Sequence, residues 1–150
     1  MYHQIDVETS VSAKMRHWIG VCISMNNQEK NTYVRNQILT TLLEMMKTES
    51  FNSITISDLV AKADVGRASF YRNYRTKEDV LHEEAERLKK ELKTIRKNDN
   101  PYDVRLILIR TLDFYKLHTD FYITLYNSGL KQMIQDSIVC LLYTSPSPRD

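Results

Sequence analysis

The chain has 150 residues, of which 42% are hydrophobic and 27% are charged, and its formal net charge is +2. That length suits one or two small domains and is sufficient to bury a substantial core. Three glycines and three prolines are few helix breakers for a chain of this length, which favours an all-helical protein. No apolar stretch of the sequence approaches the roughly 20 residues of a membrane-spanning helix.

Several function classes lack their usual sequence signals. The sequence has no glycine-rich phosphate loop, no nucleophile–base arrangement and no paired-acid spacing, so we do not expect an enzyme. Cys22 and Cys140 lie far apart, and the four histidines are scattered. We therefore expect no metal site and no cofactor. Because the cysteines lack disulfide spacing, a reduced, cytoplasmic compartment is the default expectation.

The two ends of the chain differ from the helical pattern between them. Residues 1–30 are predicted to form a flexible N-terminal extension. Two interpretations stay open for residues 1–24, a misassigned start upstream of Met25 or a genuine flexible arm. Residues 144–150 form a proline-serine tail, predicted to be disordered because Pro146 and Pro148 cannot continue a helix.

Between these ends, apolar residues recur at helical spacing. Segment 103–118 is apolar on most of its circumference, which predicts a helix that is buried on several sides or faces a cavity. Thr76 is expected to cap a long helix with acidic residues at its positive end, and Gly129 is expected to end another helix. Outside residues 54–76, the predicted helices are 32–48, 77–97, 103–118, 120–129 and 130–143.

Residues 54–81 hold the most specific pattern in the sequence, two short helices joined by a tight turn. Thr55 and Asp58 have capping-box spacing at the start of the first of these helices. Asp64 stands where the chain must reverse, and aspartate tolerates left-handed backbone better than most residues do. The second of these helices is predicted over residues 67–75.

This second helix has a buried side and an outer side. Phe70 and Tyr74, four residues apart, are predicted to pack it against the first helix. Small, hydroxyl and guanidinium side chains lie on the other side and its flanks, which is typical of a helix that enters the major groove of DNA. Segment 62–77 carries five basic residues against Asp64 alone, a net charge of +4 that fits a nucleic-acid-binding surface. The outer residues are Ala68, Ser69, Tyr71, Arg72 and Arg75.

The stretch resembles the helix-turn-helix of the tetracycline-repressor (TetR) family. Asp64 replaces the glycine that is usual in the turn, and Gly66 replaces the serine that usually caps the recognition helix. Glycine is an acceptable cap, although it lacks the side-chain bond to the helix amides. The resemblance is close over residues 31–97 and general in character over residues 102–139. The matching residues are Ala63, Val65, Arg67, Ser69, Phe70, Tyr71, Tyr74, Lys77 and Leu81.

This resemblance implies a sequence-specific DNA-binding transcriptional regulator, and more finely a repressor that responds to a small-molecule effector. It implies a helix-turn-helix DNA-binding head at residues 31–76 and a helical regulatory and dimerisation body at residues 77–143. In the family, two C-terminal helices pair the subunits, and these helices are expected to be missing here, so the body is predicted to be incomplete.

The expected assembly follows from that prediction. The 150-residue chain is predicted to be a weak dimer or an aggregation-prone monomer, and the complete parent a homodimer. No membrane partner is expected. A helical protein-interaction module that does not bind DNA stays open as the alternative.

The predicted partner is double-stranded DNA, and its contacts fall in two groups. Side chains at the helix starts, and hydroxyl and amide side chains on the outer side of the recognition helix, are expected to bind phosphates. Base edges are expected to be read from the start and outer side of the recognition helix, where Arg67 leads because a guanidinium can bind guanine through two hydrogen bonds. The predicted phosphate contacts are Thr55, Ser57, Tyr71, Asn73 and Lys77, and the predicted base contacts are Arg67, Ala68, Ser69 and Arg72.

A group of aromatic residues in the body suggests an effector site. By resemblance to the family, this region encloses the small molecule that shifts the protein off its operator. Buried tyrosine hydroxyls need partners, which a polar ligand could supply. Aromatic residues at helical spacing also form ordinary core, and this alternative stays open. The predicted pocket residues are Phe114, Tyr115, His118, Tyr122 and Tyr126.

Overall fold

The computed structural model describes residues 26–100 and 102–143, with side chains described as far as residue 139. All regular structure in these residues is helical, which confirms the predicted all-α fold. No helix in the described part is long and apolar enough to cross a membrane. The predictions for residues 1–25 and 144–150 lie outside the described residues. The helices are α1 (Asn27–Thr48), α2 (Ile56–Lys62), α3 (Arg67–Asn73), α4 (Lys77–Arg96), α5 (Val104–Leu117), α6 (Thr119–Asn127) and α7 (Lys131–Tyr143).

Helix α1 begins at Asn27, earlier than the predicted start at residue 32. The side-chain oxygen of Asn26 accepts hydrogen bonds from the amides of Gln28 and Glu29, both at 2.9 Å. The Glu29 carboxylate in turn accepts from the Asn26 amide at 2.8 Å. This capping box satisfies amides that a helix start leaves unpaired. Residues 27–30, predicted to belong to the extension, are therefore the first turn of α1.

Helices α1, α2 and α3 and the first half of α4 enclose one apolar core, and we call this part the head. Phe70 and Tyr74 are buried in it, as predicted. The capping residues also behave as predicted, since Thr55 accepts from the Asp58 amide at 3.1 Å and Thr76 caps α4. Core side chains with no exposed surface include Ile38, Leu42, Leu59, Phe70 and Leu81.

The turn between α2 and α3 passes through left-handed backbone at Asp64, where φ is 52°. The Asp64 amide donates to the Ala61 carbonyl at 3.3 Å, and the Val65 amide donates to the Val60 carbonyl at 3.0 Å. This pair of bonds is a Schellman motif, which usually has glycine at the left-handed position. The prediction for Asp64 is therefore confirmed. Gly66 follows as the cap of α3 and forms no side-chain bond to the helix.

Helix α4 joins the head to the body, by which we mean the second half of α4 together with α5, α6 and α7. It packs against α1 in the head and against α5 and α7 in the body. A helix shared in this way does not itself mark a boundary, and the predicted division at residue 76 stays a prediction. Gly129, with φ of 79°, ends α6 as expected.

Helix α5 is less covered than its sequence predicts. Phe114 is its one buried side chain, whereas Leu112 is 67% exposed and Leu117 is 77% exposed. Within the described residues, α5 packs mainly against α4 and α6. The prediction of burial on several sides is wrong, because an apolar pattern shows what a helix could bury and not which neighbours cover it.

Replacing Asp64 with glycine is expected to raise the free energy of unfolding by about 0.5–1 kcal/mol, because glycine adopts left-handed backbone without steric cost. The change also removes a negative charge beside the negative end of α2. Asp64→Val should lower the free energy of unfolding, because a β-branched side chain tolerates this region poorly. Urea unfolding of the full chain measures both variants. A valine variant as stable as the glycine variant would contradict the left-handed turn.

Candidate DNA-binding surface

Helix α3 is positioned by aromatic packing on its inner side. Phe70 is its one buried side chain, and the Phe70 ring centroid lies 5.5 Å from that of Tyr71 and 5.8 Å from that of Tyr74. Tyr74 is the C-cap, so α3 ends slightly before the predicted residue 75. Because residues four apart share one side of a helix, burial of Phe70 and Tyr74 leaves the opposite side to solvent.

Of the predicted base-contacting residues, Ala68 and Arg72 lie on that solvent side, Ser69 lies on its flank, and Arg67 is the first residue of the helix. Arg67, Ala68 and Arg72 are exposed, and Ser69 is half-buried. Tyr71, a predicted phosphate contact, is also exposed, although its ring touches that of Phe70. We call the five residues Arg67, Ala68, Ser69, Tyr71 and Arg72 the outer surface of α3.

Two of the predicted phosphate contacts already have partners within the protein. The Thr55 hydroxyl donates to the Asp58 carboxylate at 2.6 Å. A hydroxyl has one hydrogen and phosphate oxygens only accept, so this arrangement leaves Thr55 no donor for DNA. The Asn73 side-chain amide donates to the Ser69 carbonyl at 2.9 Å and keeps one hydrogen for another acceptor. Ser57, by contrast, is exposed.

The sequence predicts a phosphate contact for Lys77, and the structure shows that this residue also has partners within the protein. Its ammonium nitrogen donates to the carbonyl oxygens of Phe51 and Ile54 at 2.5 Å and 2.7 Å. It also lies 4.5 Å from the centre of the Phe51 ring. Two of its three donors are used at this corner between α1 and α2. Lys77 is therefore a clamp that ties α4 to the rest of the head, and its phosphate contact, for which one N–H donor remains, stays a prediction.

Lys77→Met is expected to lower the free energy of unfolding by about 1–3 kcal/mol, because a charged donor is lost and two carbonyls lose their partner. Lys93→Met, at an exposed position in the last turn of α4, is the matched control and should change stability little. Urea unfolding measures both. If Lys77→Met is as stable as the parent and binds DNA more weakly, the clamp is wrong and the phosphate contact is right.

The other basic side chains of segment 62–77 have no partner among the described residues. Lys62, Arg67, Arg72 and Arg75 have no ion pair and no side-chain hydrogen bond to any described residue. Exposed cations without internal partners can meet phosphates without first breaking other contacts. The available positive charge of this segment therefore lies on α3, on its C-terminal side and at the end of α2.

Two nearby acids are tied to helix starts. The Asp58 carboxylate is bonded to Thr55. The Asp79 carboxylate accepts from the amides of Thr76 and Arg75 at 2.9 Å and 3.0 Å. The hydrogen bond from the Thr76 amide is the largest cause that lowers the pKa of Asp79. Because a helix start carries partial positive charge, these positions offset part of the repulsion that the carboxylates would exert on phosphates.

In the body, four of the five predicted pocket residues come together. The ring centroids of Phe114 and His118 lie 4.5 Å apart, and those of Tyr115 and Tyr122 lie 4.8 Å apart. Phe114 and Tyr115 connect these pairs at 6.1 Å. We call these four residues the aromatic cluster. Tyr126 is exposed and lies 4.8 Å from the Lys131 ammonium instead.

The aromatic cluster contains two buried polar atoms, Tyr115 Oη and His118 Nε2, that have no hydrogen-bond partner in the described part of the chain. Glu91 Oε1 lies 3.6 Å from His118 Nε2, which is longer than a hydrogen bond. Burial raises the pKa of Tyr115. Burial also raises the pKa of Tyr122, with further contributions from Tyr115 and Glu84. Both phenols are therefore protonated near neutral pH, and each carries a hydroxyl hydrogen.

Tyr115→Phe is expected to leave the free energy of unfolding unchanged or to raise it by up to about 1 kcal/mol, because the lost hydroxyl has no partner. The change keeps the ring and its packing. Tyr102→Phe, at an exposed position, is the matched control and should have no effect. Thermal and urea unfolding give the comparison. A loss of about 1 kcal/mol in Tyr115→Phe alone would mean that the hydroxyl is bonded inside the protein.

A comparison with known families identifies the head. Residues 38–83 match the family model described as bacterial regulatory proteins, tetR family. The matched segment runs from within α1 to the first turns of α4 and includes all of α2 and α3. Residues 38–83 are therefore a helix-turn-helix DNA-binding domain of the tetR type, with α2 and α3 as its two motif helices, and this domain supports a DNA-binding transcriptional regulator. No curated protein and no solved structure gives a match.

Proposed function

We propose that this regulator is a repressor that binds a near-palindromic DNA site as a homodimer and leaves it when a small molecule occupies the body. The observation that carries the proposal is the outer surface of α3, where Arg67 and Arg72 have no partner among the residues that the structure describes. Guanidinium, hydroxyl and methyl groups together can read base edges in the major groove. In this proposal Arg67 reads a guanine.

The length of α3 supports pairing of two heads. With seven residues, this helix is only about 10 Å long at 1.5 Å per residue. A helix of that length reaches a few base pairs, which is too little for a unique site. Helix-turn-helix proteins solve this by binding two half-sites about one turn of DNA apart. A homodimer with two copies of α3 is therefore the proposed binding unit.

The aromatic cluster supports an effector site in the body. Tyr115 Oη is buried and unpaired, so a ligand with an acceptor group would satisfy it at little cost in protein rearrangement. The apolar rings around it would cover an aromatic or aliphatic part of the same molecule. The proposed effector is accordingly a small amphipathic compound with at least one hydrogen-bond acceptor.

Helix α4 supplies a physical link between the aromatic cluster and the head. Arg87 donates to Glu84 and to Glu91, each at 2.8 Å, and Glu91 approaches His118 in the aromatic cluster. One turn earlier, Glu83 forms an ion pair with Arg35 of α1. In this proposal a ligand at the aromatic cluster moves Glu91, the change passes along α4 to the Glu83–Arg35 ion pair, and the seat of α4 on the head has the two states that an effector response requires.

Arg67→Ala is expected to remove about 1–3 kcal/mol of discrimination at one position of each half-site, because a bidentate contact to guanine is lost. Sites selected from a random DNA pool with the parent chain provide the specific duplex. Mobility-shift titrations then compare that duplex with random DNA. The control is Lys62→Ala, which removes a basic side chain at the end of α2. This change should weaken binding to both duplexes equally.

The result of this comparison separates the proposal from its rivals. An equal loss on both duplexes in Arg67→Ala would show that this residue holds the backbone and reads no base. If the parent chain has no salt-sensitive affinity for DNA, the head of this particular chain does not act as a DNA reader. That outcome would favour the helical protein-interaction module.

A further inference from the structure

A groove lies between the first turns of α1 and the outer part of α3. Asn27, Lys30 and Asn31 form one wall, and Ser69, Arg72 and Asn73 form the other. Its volume is about 570 Å³. The groove is continuous with the outer surface of α3, because Ser69 and Arg72 belong to both. Residues 27–30 were assigned to the extension by sequence, so this wall was not predicted. The capping spacing of Asn26 and Glu29 was the available signal.

The polar character of the groove follows from which face of α1 lines it. Residues 27, 30 and 31 are three and four positions apart and therefore share one face of the helix. Glu29 projects from a different face, and its carboxylate is bonded to the Asn26 amide. Among the residues that the structure describes, the groove is consequently lined by two cations, Lys30 and Arg72, and by no carboxylate.

The charge of Lys30 is not used within the described part of the chain. Its ammonium has no ion pair and no hydrogen bond to a described residue. It lies near the first turn of α1, where the partial positive charge of the helix start makes a cation unfavourable. Lys30 therefore contributes nothing evident to the stability of α1. Its positive charge is available to pair with an external anion.

We propose that the groove between α1 and α3 binds the sugar-phosphate backbone of double-stranded DNA, with Lys30 contacting a phosphate from the α1 side. This inference rests on the proposed DNA binding by α3. With α3 in the major groove, the walls of that groove are the two phosphate backbones. In the proposed complex, the wall formed by α1 contacts one of these two phosphate backbones. Arg72 then has a phosphate within reach as well as base edges, and the amides of Asn27 and Asn31 add uncharged donors.

Lys30→Ala tests the proposal through the salt dependence of DNA binding. Each phosphate contact adds about 0.9 to the slope of log affinity against log salt on double-stranded DNA. Lys30→Ala should make this slope shallower by about 0.9 on random and selected duplexes alike. Lys30→Arg should keep the parent slope. Lys93→Ala removes an equal charge from the distant end of α4 and should also keep it. Thermal unfolding confirms that all variants are folded.

The outcomes distinguish this inference from the proposed function. If the parent binds DNA with salt dependence and Lys30→Ala keeps its slope, the groove does not bind the backbone, and the proposed function stands. If Lys30→Arg loses as much slope as Lys30→Ala, the position does not act through its charge, and the inference is overturned. If the parent shows no salt-sensitive binding at all, the proposed function fails and takes this inference with it.

Discussion

The packing of one ring determines how the whole DNA-binding surface is oriented. Helix α3 has seven residues, and Phe70 is its one buried side chain. A helix this short is not stable alone in water, so its structure depends on tertiary packing. Burial of a phenylalanine stabilises by about 1.5–3 kcal/mol, and here that burial also fixes the rotation of α3 about its axis. With Phe70 inward, Arg72 lies on the opposite side of α3 and faces solvent, and Arg67 is exposed at the first position of the helix.

The basic side chains of the head fall into two groups, those with partners inside the protein and those without. Lys77 and Arg35 have internal partners and hold α4 against the rest of the head. Arg67 and Arg72 have none among the described residues, and Arg72 lies across the groove from Lys30 of α1. Net charge alone does not show this division, because engaged and free cations count equally in the sequence. The distinction matters for function, since the free group can meet phosphates without first breaking contacts within the protein.

Local signals in the sequence predicted the helix-turn-helix closely. The caps at Thr55 and Thr76 and the left-handed turn at Asp64 each depend on a few neighbouring residues, so they could be read from sequence. The Lys77 clamp could not, because a flexible four-carbon side chain finds partners in residues 51–54 that approach only in the fold. The exposure of α5 was missed for a related reason. Its apolar pattern is real, but the cover of a helix face is a property of its neighbours.

In the proposed complex, the outer surface of α3 and the start of α1 form one continuous DNA-binding surface. Amide chemical-shift changes during titration of the isotope-labelled chain with a double-stranded DNA site test this directly. We expect the largest changes at residues 67–73 and 27–34, with small changes in α5 and α6. Changes confined to the exposed apolar side of α5, with α3 unaffected, would contradict the account and show that the chain meets its partner through the body.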